Sequence, residues 1–256
     1  MKKQLLLVAL LVAACFQARA QYDLYEKHEY VIGGDTLRYR VMYPENYEAG
    51  KKYPMVLFLH GLGESGSDNE LQLRFGAGQF ANPVNRERYP AIVIFPQCPV
   101  GKYWLDMRPA SFDESGMTEQ PFAGPMTLVW DLVQSYADTA RVDRDRIYVM
   151  GLSMGGMGTY DLVCRFPDFF AAAVPICGAA NTRRLEAPAR SVAFRIYHGD
   201  ADPIVPVEAS RRAYKALKRY GAQVEYFEFP GVWHDSWSWT FLQPGFLDWV
   251  FSQKKQ

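Results

Sequence analysis

The feature that most constrains this chain is a strand, a five-residue turn and a helix in direct succession. Residues 147–150, Ile147-Tyr148-Val149-Met150, form a short apolar run that reads as a buried strand. Gly151-Leu152-Ser153-Met154-Gly155 follows, and residues 156–164 then read as a helix. That helix stops at Phe166-Pro167, because proline disfavours helical geometry in the residue before it. A turn this sharp holds the serine in a strained conformation with Oγ exposed, and the flanking glycines remove Cβ atoms that would clash. The start of the helix sets backbone N–H groups and the positive end of its dipole beside the serine. A chain of this length meets G-x-S-x-G by chance about one time in ten. The strand before it and the helix after it therefore carry the reading, and Ser153 is the candidate nucleophile.

The remaining segments fit around that unit. Residues 22–43 alternate in polarity about Gly33-Gly34-Asp35, as a β-hairpin does. Continuous apolar runs at 55–59 and 91–95 read as strands covered on both faces, and 172–176 and 194–197 as further strands. Residues 224–229 alternate as a last strand. Helices are expected at 68–80 (weakened by Gly76 and Gly78), 125–140, 207–220 and 246–251. A long irregular stretch runs from 100 to 124, and connections of that length are uncommon unless they serve function. Strands alternating with helices predict an α/β fold: a mostly parallel central sheet, helices on both faces and an N-terminal antiparallel hairpin. One domain is expected over residues 21–256.

Composition excludes several classes. The chain has 256 residues, 49% hydrophobic, with 28 basic and 28 acidic side chains. Nothing in that balance points to nucleic acid or to disorder. Residues 1–20 differ from the rest: Met1-Lys2-Lys3, an apolar run at 5–14 and Ala18-Arg19-Ala20 have the pattern of a secretory signal peptide. They are too short for a comfortable membrane span. Cleavage after Ala20 removes Lys2, Lys3 and Arg19 and no acid, leaving a slightly acidic mature chain. The rival reading takes Val12-Ala13-Ala14-Cys15 as a lipobox with a lipid anchor on Cys15. Either way the destination is secreted or periplasmic. Cys98, Cys164 and Cys177 remain, and a disulfide between Cys98 and Cys177 is one possibility in an oxidising compartment. With no C-x-x-C and no H-E-x-x-H, no metal or cofactor is expected.

Serine needs a base, and the base needs an orienting group. Ligand and catalytic groups of such sheets collect at the carboxyl ends of the strands. His234 follows the last expected strand and is the preferred base; His60 and His198 precede glycines at strand ends, where ring hydrogen bonds would support loops, and His28 sits in the hairpin. Asp202 is the preferred acid, with Asp200 its rival and Asp235 a third candidate. The backbone N–H groups of Met154 and of Leu62, between Gly61 and Gly63, are the expected oxyanion donors.

His60-Gly61-Leu62-Gly63-Glu64, Pro96-Gln97-Cys98-Pro99 with Trp104, the serine turn, His198-Gly199-Asp200-Ala201-Asp202-Pro203 and Gly231-Val232-Trp233-His234 together resemble secreted serine esterases of the α/β-hydrolase superfamily. The phospholipase/carboxylesterase-like and feruloyl-esterase-like groups are the most similar. The resemblance spans nearly all of the chain after residue 20 and implies the same Ser153, His234, Asp202, Leu62 and Met154 roles. It implies hydrolysis of a small-molecule or polysaccharide-linked ester, with feruloyl or acetyl esters of plant polysaccharide as the expected substrates. Small aliphatic esters, lysophospholipids or short peptides are alternatives, and a non-catalytic glycan-binding module is the rival from another class. Trp104, Trp233 and Trp237 are expected to flank the cleft, with Gln97 as a polar contact.

Overall fold

The computed structural model describes residues 22–105 and 121–255. The expected signal peptide, Cys15 and residues 106–120 of the long connection lie outside the described residues.

The fold is organised by strand β3 (Tyr53–Leu59), in which every residue is buried. Side chains alternate across a strand, so β3 feeds two cores. Met55, Leu57 and Leu59 point into one, while Val56 and Phe58 point into the other. Such a strand must be covered on both faces, and it is. The first core is closed by α3 (Pro125–Ala137), α4 (Met154–Arg165) and α5 (Glu208–Arg219). The second is closed by α1 (Ala77–Ala81) and α7 (Phe246–Ser252), with Trp237 and Phe241 of α6 (Ser236–Phe241) packed against it. A further short helix, α2 (Pro83–Arg88), starts at Asn82, whose side chain accepts from the N–H groups of Val84 and Asn85.

The sheet has eight strands in the order β1-β2-β4-β3-β5-β6-β7-β8. Strands β1 (Glu26–Ile32) and β2 (Asp35–Met42) form the expected hairpin, and β2 runs antiparallel to β4 (Ile92–Gln97). The other pairings, through β5 (Val142–Leu152), β6 (Ala172–Ile176), β7 (Ala193–Gly199) and β8 (Val224–Phe229), are parallel. This is the α/β-hydrolase architecture anticipated above. The chain places β4 on one side of β3 and β5 on the other, so the loops after β3 and β5 diverge around a crevice at the strands' carboxyl ends.

Two elements depart from expectation. The helix anticipated over 68–80 is instead a 3₁₀ turn, Leu71–Leu73, followed by the five-residue α1. Gly76 separates them at φ 85, and a Cβ there would lie 2.5 Å from the Phe58 ring, so the backbone is bent to admit that ring. Helix α6 was not anticipated, because six aromatic-rich residues carry little helical periodicity; burial of Trp237 and Phe241 selects it. Among the described residues no helix is long and apolar enough to cross a membrane.

Candidate active site

Ser153 sits at the junction of β5 and α4 with φ 54 and ψ −118, a conformation that non-glycine residues rarely adopt. The surroundings enforce it. The Ser153 N–H donates to the Ile176 carbonyl at 2.8 Å, and its carbonyl accepts from the Met157 N–H at 3.0 Å. The first turn of α4 packs directly against the end of β3. A Cβ on Gly155 would lie 2.0 Å from the Leu59 carbonyl oxygen, and one on Gly151 would lie 2.4 Å from the Gly155 carbonyl oxygen. No side chain fits at either position, which is the physical content of the glycines in this turn.

His234, in the loop after β8, reaches Ser153 with Nε2 to Oγ at 2.9 Å. Its Nδ1 lies 2.7 Å from Asp202 Oδ2. A carboxylate only accepts, so Nδ1 carries the proton and Nε2 presents a lone pair to the serine hydroxyl. That is the tautomer a base needs. Burial works to raise the Asp202 pKa. Hydrogen bonds from His198 and His234, and from the N–H groups of Val205 and Ile204, outweigh it and hold the carboxyl well below the usual carboxylate range. The Ile204 and Val205 N–H groups donate to Oδ1 at 2.8 and 2.9 Å.

His198 is the buried partner behind this acid. Its Nε2 lies 3.2 Å from Asp202 Oδ2 and 2.9 Å from the Val205 carbonyl, and its Nδ1 lies 2.7 Å from Ser210 Oγ. Both Nε2 partners accept only, so the proton is on Nε2 and Nδ1 accepts from Ser210. Asp200, the rival acid, instead accepts the Gly231 N–H at 2.6 Å and braces the loop that carries His234. Asp235 caps α6. His28 lies on the exposed side of the hairpin beside Glu26.

The remaining donors are backbone. Met154 is the first residue of α4 and Leu62 the first of a 3₁₀ turn, Leu62–Glu64. First-turn N–H groups have no intrahelical acceptor, so each is available to an incoming oxygen. His60 fastens the Leu62 loop. Its Nε2 accepts the Cys98 N–H at 2.9 Å, its Nδ1 donates to the Gly61 carbonyl at 2.6 Å, and its carbonyl accepts from Trp104 Nε1 at 3.0 Å. Burial lowers the His60 pKa to about 4, against the opposing pull of the Gly61 hydrogen bond. The ring is therefore neutral at physiological pH.

A cleft of about 660 Å³ opens over Ser153. Leu62 and Gly63 form one side; Phe75 and Trp237 supply aromatic rings, 5.2 Å apart between centroids. Met157, Ile204, Val205, Pro206 and Ala209 supply an aliphatic wall that ends at Arg212. Trp237 also meets His234 edge to face at 5.5 Å.

Three expected substrate contacts are corrected by these positions. Trp104 is 1% exposed and packs on His60, with its indole N–H given to the His60 carbonyl. Gln97 is equally buried; its amide donates to Asp68 at 2.7 Å and its oxygen accepts the Asn69 N–H at 2.8 Å. Both brace the loops beneath the cleft. Trp233 is 67% exposed and does not line the cleft, although it adjoins His234. Trp237 does line it, as do Phe75 and Arg212, which no local sequence pattern singled out. Cys98 and Cys177 are both buried and unpaired, so the possible bridge between them is absent.

Cys177, Asp202 and His234 offer ligand atoms within 4.8 Å of one another. The donor chemistry does not suit a resident cation. Cys177 is fully buried, with its thiol pushed up to about 12 by that burial, although Ser236 and the Ser153 N–H pull the other way. The Asp202 and His234 atoms already bond each other.

The chain matches the phospholipase/carboxylesterase family over residues 46–243. It is similar to a probable carboxylesterase of Oryza sativa subsp. japonica, 30% identical over 200 residues that take in 73% of each chain. A thermostable esterase superposes with a TM-score of 0.84 at 33% identity, over 92% of this chain and 64% of that one. The chain thus spans just under two thirds of that esterase's length. A ferulic acid esterase of Anaeromyces mucronatus, solved with ferulic acid, shares the fold at a TM-score of 0.64 and 17% identity, over 90% of both chains.

Proposed function

The chain belongs to the phospholipase/carboxylesterase family of α/β-hydrolases, and on that premise we propose that it is a serine carboxylic-ester hydrolase working through Ser153, His234 and Asp202. One observation carries the reading: an unbroken hydrogen-bonded line from Ser153 Oγ through His234 to Asp202, at the floor of an apolar cleft. In the first step Ser153 Oγ attacks the ester carbonyl carbon as His234 Nε2 takes the hydroxyl proton. The carbonyl oxygen becomes an oxyanion, which the Leu62 and Met154 N–H groups receive. Asp202 keeps the imidazole in the working tautomer and stabilises the imidazolium. The C–O bond to the alcohol then breaks, and that alcohol leaves with the proton from His234. Water, deprotonated by the same nitrogen, attacks the acyl-serine; the acyl C–Oγ bond breaks, Ser153 Oγ takes the proton back from His234, and the carboxylic acid is released.

The finer substrate reading is a feruloyl or acetyl ester of plant polysaccharide. The Phe75 and Trp237 rings, packed against each other at a tilt, support it, since a planar phenolic acyl group can lie along an aromatic wall beside the nucleophile. A cleft of this size lies in the ordinary range for small-molecule sites. The aliphatic wall of Met157, Ile204 and Val205 favours a second reading, in which the acyl group is a short alkyl or lipid chain. Export to the periplasm or beyond is proposed on the charged, apolar and A-x-A segments of residues 1–20.

Methyl ferulate, acetylated xylan, p-nitrophenyl butyrate and a lysophospholipid, assayed side by side, separate these readings. The expected order puts methyl ferulate or acetylated xylan first in kcat/KM. Preference for the lysophospholipid would replace the polysaccharide reading, and no ester turnover at all would reject the hydrolase reading.

A further inference from the structure

The aliphatic wall of the cleft ends in a charge that folding does not use. Arg212 lies on α5, one turn beyond Ala209, and both residues line the cleft. Its neighbour Arg211 bonds Glu228 at 2.9 and 2.6 Å and Glu208 at 2.9 Å. Glu208 stands four residues before Arg212, the spacing at which a helix would pair them, yet it is turned to Arg211. No acid among the described residues lies within ion-pairing distance of Arg212, and its side chain is exposed. Lys215, one turn farther along α5, is exposed and likewise carries no ion pair among the described residues. Arg212 is the only lysine or arginine among the described residues lining this cleft; the acid that also lines it, Glu64, is buried, and burial raises its pKa toward the neutral form.

We infer that the ester taken by this site carries an anionic group of the carboxylate class beyond the scissile bond, and that Arg212 holds it. The inference rests on the hydrolase reading above and deepens it. An apolar wall lowers the local dielectric, so a carboxylate docked beside the guanidinium is attracted more strongly than in open water. The planar fork matches a carboxylate with two parallel hydrogen bonds. A polysaccharide bearing uronic acid meets this requirement, as does an acyl group with a terminal carboxylate. In the first the charge sits on the alcohol side of the ester, in the second on the acyl side.

The test compares the parent, Arg212→Gln and Arg212→Lys on three esters. These are p-nitrophenyl butyrate, the p-nitrophenyl monoester of glutaric acid, and 3-carboxy-4-nitrophenyl butyrate, which are neutral, anionic on the acyl side and anionic on the alcohol side. For one anionic ester the ratio of its kcat/KM to that of the neutral ester should fall about 5- to 10-fold in Arg212→Gln, with the loss in KM, and recover in part in Arg212→Lys. The parent's ratio should also decline as salt rises from about 0.05 to 0.5 M, because the contact is partly solvated. Ratios within twofold of the parent for both anionic esters overturn the inference. Absence of neutral-ester turnover by the parent overturns instead the hydrolase reading on which it rests.

Discussion

Gly155→Ala is the sharpest structural test of how the nucleophile is held. In an exposed helix the change would add about 1 kcal/mol of helix propensity. Here the new Cβ would lie 2.0 Å from the Leu59 carbonyl oxygen, 2.5 Å from its carbon and 2.7 Å from the His60 oxygen. These are backbone atoms of β3 and of the loop after it, and β3 is hydrogen-bonded on both sides. They do not yield as a side-chain tip would. Relief requires the start of α4 to withdraw by roughly 1 Å, since real contacts of this kind lie beyond 3 Å. Overpacking of this type costs about 1–3 kcal/mol, which for a domain of this size lowers Tm by roughly 2–4 °C per kcal/mol. The withdrawal also carries the Met154 N–H away from the Leu62 N–H, and a 1 Å misplacement costs about 100-fold in rate. Gly158→Ala is the companion variant. It lies one turn on, where the new Cβ would meet the Met126 methyl at 2.9 Å and Leu59 Cδ1 at 3.0 Å, both mobile ends of side chains. Thermal melts and kcat/KM on p-nitrophenyl butyrate should show Gly155→Ala losing about 100-fold in activity and Gly158→Ala losing little. Equal behaviour of the two variants would refute the argument that backbone contact at Gly155 sets the geometry of Ser153.

Two further perturbations follow from the same site. Asp202→Asn should reduce kcat by at least about a thousandfold, by removing the acceptor that fixes the His234 tautomer, whereas Asp200→Asn, which loses only a brace to Gly231, should cost less than about tenfold; steady-state kinetics on one ester decides, and the reverse order would exchange their roles. His60 supplies an acid limit to stability. It stays neutral in the folded state down to about 4, while an unfolded histidine protonates near about 6.5, so the unfolded chain binds the extra proton between those values. Its contribution is complete above about pH 6.5 and is lost as pH falls toward 4, about 3 kcal/mol in all. Urea midpoints measured across that range should fall for the parent and fall less steeply for His60→Gln; parallel slopes would contradict the assignment.

The strands and the relay were legible in the sequence for a specific reason. β3, β4 and β6 are buried from end to end and so show as apolar runs, interrupted in β4 only by its last residue, Gln97. Ser153, Asp202 and His234 each follow a strand, where chain order alone limits the choices. The roles of Trp104 and Gln97 were not legible, because a residue in a loop near a site looks the same whether it points into the cleft or beneath it. Both are turned inward by partners distant in sequence, His60 for Trp104 and Asp68 and Asn69 for Gln97. Phe75 and Arg212 enter the cleft from elements without any motif, placed there by the bend at Gly76 and by the rotation of α5. His198 reads in the sequence as a loop support, and the chain it supports is the one that carries Asp202, the proposed acid, 3.2 Å from its Nε2.

The most direct measurement is the site of covalent labelling by a fluorophosphonate, read by intact mass and peptide mapping with ester turnover followed in parallel. One adduct on Ser153 is expected, with loss of turnover in proportion to labelling and no adduct in His234→Ala over the same interval. Full ester turnover by a Ser153→Ala variant, or complete inhibition with the adduct on another residue, would contradict it.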